Sequence, residues 1–194
     1  ELLQKSVNLV RERFGYYHAS IFLLDDAGEY AVLRQSTGQA GQQMMQAGHR
    51  LGVGSKSIVG QVTASGKPLI VNDVANDPNH FPNPLLPDTR SEMALPLKTA
   101  SRILGAIDVQ STQTGAFIDE DINVLQLLAD QIAVALVNAE LFARTQDLLN
   151  KHRLLRQITI LTSTSPSLED ALSHVVGSLS QARIGDQLSV LLMN

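Results

Sequence analysis

Several places in the chain carry residue types that could do chemistry. Asp73, Asp77 and His80 stand at a D-x-x-x-D-x-x-H spacing, with Asp88 close behind. Carboxylate oxygens and an imidazole could hold a divalent cation there. Asp and Asn before Pro are equally ordinary turn formers, and the reading adopted is that no metal is bound. Arg90, Ser91 and Glu92 follow at once. In one reading the Arg90 guanidinium binds a ligand anion, oriented by Ser91 or Glu92. In the other, favoured here, Arg90 pairs with Asp88 or Glu92 and pins the loop. Gly52-Val53-Gly54-Ser55-Lys56-Ser57 faintly resembles a phosphate loop, but Ser55 stands where Gly is required and the first Gly is misplaced. Simple helix capping accounts for its serines. His18, Ser20 and Asp25 are the residue types of a hydrolytic triad. They lie along one hairpin strand, where their side chains are not expected to converge, and are read as edge or surface residues. The remaining histidines are too scattered to form a cluster, and neither His49 nor His80 is favoured as a haem ligand.

Composition removes further chemistry. The chain has no cysteine, so thiolate catalysis, disulfides and cysteine metal sites are absent. Fifteen basic and 19 acidic residues give a net charge of -4, with no basic stripe for nucleic acid or anionic lipid. Hydrophobic residues make up 44%, enough for a packed core. Uninterrupted apolar runs such as Ile132–Val137 fall short of the roughly 20 residues that span a bilayer, so membrane insertion is not expected. The chain opens on Glu1 already in helical pattern, without an initiator Met, and is expected to be a piece of a longer, cytoplasmic protein.

The elements that must position these residues follow from periodicity. Leu3, Val7 and Val10 recur at helical spacing up to Gly15. Residues 19–24 and 30–34 read as strands joined by an Asp-Asp-Ala-Gly turn, and 35–48 as a polar loop with at most one helical turn. Residues 49–53 read as a short strand. Ser55 or Ser57 caps a helix over 58–65 that Gly66 stops, and 68–71 starts a strand. Residues 73–90, with four prolines, form an irregular stretch longer than the roughly 12–15 residues beyond which loops are usually functional lids or disordered. Two strands follow, over 92–97 and 103–110. Both faces of the second lean apolar, so inward polar groups such as Asp108 and Gln110 become candidate ligand contacts. After Gly115 neither Gly nor Pro occurs until Pro166, and the helical pattern runs from Asp119 to about Leu161, roughly 65 Å.

Leu3, Val7, Val10, Ser20, Ile21 and Leu23 align without a gap with Leu172, Val176, Leu179, Ser189, Val190 and Leu192. The chain is therefore expected to begin a second copy of its own domain at its end. The expected division is a domain over 1–145, a linking helix over 146–165 and a truncated second domain over 166–194.

The segments Ile58-Val59-Gly60-Gln61-Val62, Gly66 to Val74, Ser91-Glu92-Met93-Ala94-Leu95-Pro96-Leu97 and Ile103 to Val109 with Phe117 resemble those of the GAF family. So do Asp121 and Leu125 to Glu140. The resemblance implies an α+β, GAF/PAS-like fold: an antiparallel sheet with helices packed on one face, a ligand pocket roofed by the loop before the central strand, and a long C-terminal signalling helix. It implies a regulatory, non-enzymatic domain, for which the candidate ligand contacts are Asp73, Phe81, Arg90, Ser91, Glu92, Asp108 and Gln110. Members that reduce methionine sulfoxide or attach bilins need cysteines, and there are none. Cyclic-nucleotide-binding members carry an Asn-Lys…Phe…Asp-Glu signature; Phe117 and Asp121 match it, Ile122 replaces the Glu and the Asn-Lys pair is missing.

Beyond Ala139, Leu141, Leu148 and Leu155 stand seven apart, with Asn138, Thr145, His152 and Thr159 between them. Leucines at d and polar residues at a predict a marginal parallel homodimer with a fixed register. The expected function is small-molecule sensing relayed through this helix to an output domain of the parent protein. The alternatives are a ligand-free dimerisation module and a cyclic-nucleotide-binding domain. No cofactor is expected beyond an unidentified small molecule, and nucleic acid is not expected as a partner.

Overall fold

In the computed structural model, residues 2–78 and 80–164 are described. The chain divides into two units, Glu1–Val137 and Asn138–Asn194. The expected second copy falls on residues outside the described ones. The elements are α1 (Leu2–Phe14), β1 (His18–Leu24), β2 (Tyr30–Ser36), α2 (Gly38–Gln46), β3 (Arg50–Gly52), α3 (Ile58–Ser65), β4 (Leu69–Val71), β5 (Ser91–Lys98), β6 (Ile103–Ser111) and α4 (Asp119–Thr164).

The six strands form one antiparallel sheet in the order β3-β2-β1-β6-β5-β4, so β1, β6 and β5 occupy its middle. The β1–β2 hairpin is closed by Asp25, whose Oδ1 accepts hydrogen bonds from the Glu29 and Tyr30 amides. Strand alternation then assigns each residue a face. On one face Ala19, Ile21, Met93, Leu95, Ile107 and Val109 are fully buried against Val7 and Val10 of α1 and Leu125, Ala129 and Ala133 of α4. Burying each large aliphatic side chain here contributes about 1.5–3 kcal/mol. Gly105 of β6 is required on this face. A Cβ there would come within 1.9 Å of the Phe22 carbonyl oxygen of β1, a main-chain contact that cannot yield without moving the strand pair.

The opposite face packs against α2, α3 and residues of the 72–90 loop: Phe22, Leu33, Ala94 and Ala106 meet Met44, Ile58, Val62, Val74 and Leu86. The expectation of helices on one face thus describes α1 and α4; a second pair covers the other. Helix α3 begins where Ser57 Oγ accepts the Gly60 amide at 3.0 Å and stops at Gly66, whose φ of 65° is the left-handed C-cap conformation. The phosphate-loop segment is therefore a cap.

Three local expectations change. Residues 38–46 form a helix where a loop was expected, because burying Met44 supplies what the Gly- and Gln-rich sequence lacks in helix propensity. His18 and Ser20 are buried rather than at an edge, because residues two apart on a strand share a face. Helix α4, taken whole, is long and apolar enough to cross a bilayer by length and composition, although no uninterrupted apolar run is. Leu125, Ala129, Ile132 and Ala133 nevertheless belong to the core on the α1 side.

Candidate ligand-binding site

A cavity of about 220 Å³ lies on the α2–α3 face of the sheet, beneath the 72–90 loop. The loop is tied at its base by the Val74 amide to the Arg90 carbonyl and by the Arg90 amide to the Ser111 carbonyl. It is anchored inward by the buried side chains of Val74, Leu86 and Thr89. Asn83 Nδ2 reaches Met44 Sδ at 2.9 Å and joins the loop to α2. Phe81 stands at the rim, 67% exposed.

The cavity has two ends. Toward Phe22, Met44, Leu51, Ile58 and Leu86 it is apolar. Toward the 91/111 end of the sheet it is polar, because β1, β5 and β6 place their polar residues in register. His18 lies opposite Gln110, Ser20 opposite Asp108 and Glu92 opposite Gln110. Thr89 Oγ1 donates to Gln110 Oε1 at 2.7 Å, and Gln110 Nε2 donates to Asp108 Oδ2 at 3.0 Å. Asp108 Oδ1 has no hydrogen-bond partner, although the residue is only 2% exposed. His18 Nε2, Ser20 Oγ and Ser36 Oγ form a closed trio with separations of 2.8 to 2.9 Å.

The electrostatics follow from burial. Burial raises the Asp108 carboxyl well above the usual range, and the charge of neighbouring Glu92 raises it further. Glu92 is pushed up to about 7, chiefly by burial, which outweighs the opposing effect of its interaction with Asp108. Two buried carboxyls this close do not ionise independently, so they titrate as a pair. His80 Nδ1 lies 2.9 Å from Glu92 Oε2. Burial lowers His80, against the pull of Asp108 and Asp77, while Glu92 is raised. Both shifts favour the uncharged forms, which weakens the ion-pair character of this contact. His18 is lowered to about 4, by burial first and by Arg11 second, and is neutral at physiological pH.

The structure gathers four of the sequence-selected residues at this cavity: Phe81, Glu92, Asp108 and Gln110. It places the other three elsewhere. Arg90 is exposed, is not among the residues lining the cavity, and its Nη1 donates to the Pro87 and Thr89 carbonyls, so it pins the loop through main-chain oxygens rather than through Asp88 or Glu92. Ser91 points to the α1–α4 side of β5 and donates to the Gln113 carbonyl. Asp73 accepts from the Ala75 amide and from Asn76 Nδ2, closing a turn. Phe117 is buried against Tyr16, with ring centroids 5.5 Å apart, and Asp121 Oδ2 accepts the Ile118 amide at the start of α4. Both residues matching the cyclic-nucleotide signature thus serve structure away from the cavity. Among the described residues no group of three His, Asp or Glu could hold a metal ion. His18, Ser20, Ser36 and Thr89 were missed as cavity residues. Period-2 alternation from His18 through Ser20 to Phe22 was the available signal.

Comparison with known proteins bears on this architecture. The chain matches the GAF domain family over residues 1–137. A hybrid signal transduction histidine kinase of Dictyostelium discoideum is 22% identical over 63% of this chain, which spans 4% of that protein's length. Among solved structures, the GAF domain of a phosphoenolpyruvate-protein phosphotransferase from Coxiella burnetii is 22% identical with a TM-score of 0.66, covering 73% of this chain and 84% of that one. The free methionine-R-sulfoxide reductase of Neisseria meningitidis, solved with its substrate, is 27% identical with a TM-score of 0.58, covering 68% of this chain and 72% of that one.

Proposed function

The chain belongs to the GAF domain family, and from that premise we propose that it is a small-molecule-sensing regulatory domain of a signal transduction protein. The observation that carries this is the cavity under the 72–90 loop, with a fully buried carboxylate oxygen, Asp108 Oδ1, left without a partner. An unmatched buried polar atom costs about 1–3 kcal/mol, which a bound molecule could recover. The similarity to a histidine kinase supports a signalling parent. The likeness to methionine sulfoxide reductases raises the catalytic alternative. A chain with no cysteine has no thiol to offer such a reduction, so binding rather than turnover is the reading adopted. Melting of the 194-residue chain against a metabolite panel tests it. At least one compound is expected to raise the midpoint, and a panel with no binder would favour a ligand-free relay.

The output we propose is a homodimer through α4. Leu127, Val134, Leu141, Leu148 and Leu155 recur every seven residues and are 51–63% exposed. A second copy of the same helix would cover such a stripe, with Asn138, Thr145 and His152 fixing the register. Analytical ultracentrifugation should show a concentration-dependent dimer that Leu148→Glu abolishes; a strict monomer at high concentration would overturn the dimer.

A further inference from the structure

The cavity's two ends differ in a way that selects a ligand class. Its polar end holds two carboxyls, Glu92 and Asp108, and among the described residues no Lys or Arg lines it. An anionic head group would meet carboxyls with no cation to receive it. Asp108 lines this space, and its Oδ1 is buried without a hydrogen-bond partner. Ser20 lies opposite Asp108 in the β1–β6 register, but its hydroxyl is engaged with His18 and Ser36. The polar end thus carries two carboxyls and, among the described residues, no cationic side chain. Phe22, Ile58 and Leu86 make the other end apolar. At about 220 Å³ the space lies below the range of about 300–1,000 Å³ typical of ligand pockets, which favours a compact molecule over a nucleotide.

We propose that the cavity takes a small primary amine in its ammonium form, with N–H groups bonded to Asp108 Oδ1 and the Glu92 carboxyl and an apolar body against Phe22, Ile58 and Leu86. The inference rests on the sensing role and adds the chemistry of the ligand. It also couples ligand to protons. The other titratable groups lining the cavity are His80 from the 72–90 loop, His18 from β1 and His49 just before β3. Burial keeps all three histidines toward their neutral forms, and the pull of His80 on Asp108 is outweighed by burial and by Glu92, so the pair lacks a full counter-charge. The incoming ammonium supplies one, and the proton shared by the pair leaves to solvent.

Isothermal titration calorimetry on the 194-residue chain tests this with n-pentylamine, n-pentanol and pentanoate at pH 6, 7 and 8. The amine should bind at least about tenfold more tightly than either isostere, a difference of about 1.4 kcal/mol. Its affinity should rise with pH between 6 and 7, with proton release visible as a dependence on buffer ionisation enthalpy. Asp108→Asn should lower amine affinity about tenfold or more. Should that variant misfold, the carboxyl carbon resonance of Asp108 in the unaltered chain replaces it, expected to move to its ionised position as amine is added. Preference for pentanoate or pentanol, or unchanged amine binding in Asp108→Asn, overturns the amine class and leaves the sensing role standing. Failure of the amine together with failure of the whole metabolite panel overturns both.

Discussion

The two faces of the central sheet are made by the same strands and differ in kind. Along β5, Met93, Leu95 and Leu97 point to α1 and α4, while Glu92 lines the cavity and Ala94 packs on the α2–α3 face. Along β6, Ile107 and Val109 take the first direction, Asp108 and Gln110 the second. The first face is filled with aliphatic side chains. The second retains a space and a carboxylate oxygen without a partner. One face secures the fold, and the other keeps a feature that lowers stability, a cost consistent with the sensing role proposed above. The contrast teaches that substitutions one residue apart on a strand should have opposite consequences.

The sharpest test pairs adjacent residues of β6. Ile107→Ala removes a fully buried side chain from the filled face and should cost about 2–5 kcal/mol in urea unfolding. A loss below 1 kcal/mol would mean that face is less tightly packed than described. Its neighbour should behave in the opposite sense. Asp108→Asn keeps the shape and removes a raised, buried carboxyl, so the unfolding free energy in urea at pH 8 should increase, by about 1–3 kcal/mol. Destabilisation there would break the contrast between the faces.

The pH dependence of stability sharpens it further. Glu92 has its folded pKa raised to about 7, so its contribution is fully present below its unfolded value near 4.5 and is lost as pH rises through 7. His18 has its folded pKa lowered to about 4, so its contribution is present above 6.5 and is lost as pH falls through 4. The two slopes oppose one another between about pH 4.5 and 6.5. Asp108, also raised, adds to the falling slope, and His49 and His80, both lowered, add to the rising one, so the expected result is that Glu92→Gln gains stability relative to the unaltered chain as pH rises through that window. Parallel profiles for the two proteins would show that Glu92 is not raised. This is the smallest of the three effects.

Much of the fold was legible in residue order. The α1 helix, the β1–β2 hairpin, the Ser57-capped α3 and the β5–β6 pair follow from periodicity and from Gly, Pro and Asp at turns. Helix α2 was not, because its Gly- and Gln-rich sequence becomes helical only when Met44 has a core to enter. The site was half legible. Glu92, Asp108 and Gln110 stood out as polar residues within apolar strands, and Phe81 lay in the expected loop. Arg90 and Asp73 drew attention by charge alone, and both charges turn outward to close the loop on itself.

By itself the sequence determined the chemistry that is absent and the local elements that are present. A missing cysteine is a fact about composition, and caps and strand alternation are set by residues a few positions apart. Only the tertiary structure decided which polar residues meet. His18, Ser36, Glu92 and Asp108 are far apart in the chain and come together because the order β2-β1-β6-β5 stacks their register positions on one face. The raised carboxyls and the unpartnered oxygen follow from that stacking, since burial and mutual repulsion act through space and leave no trace in spacing along the chain.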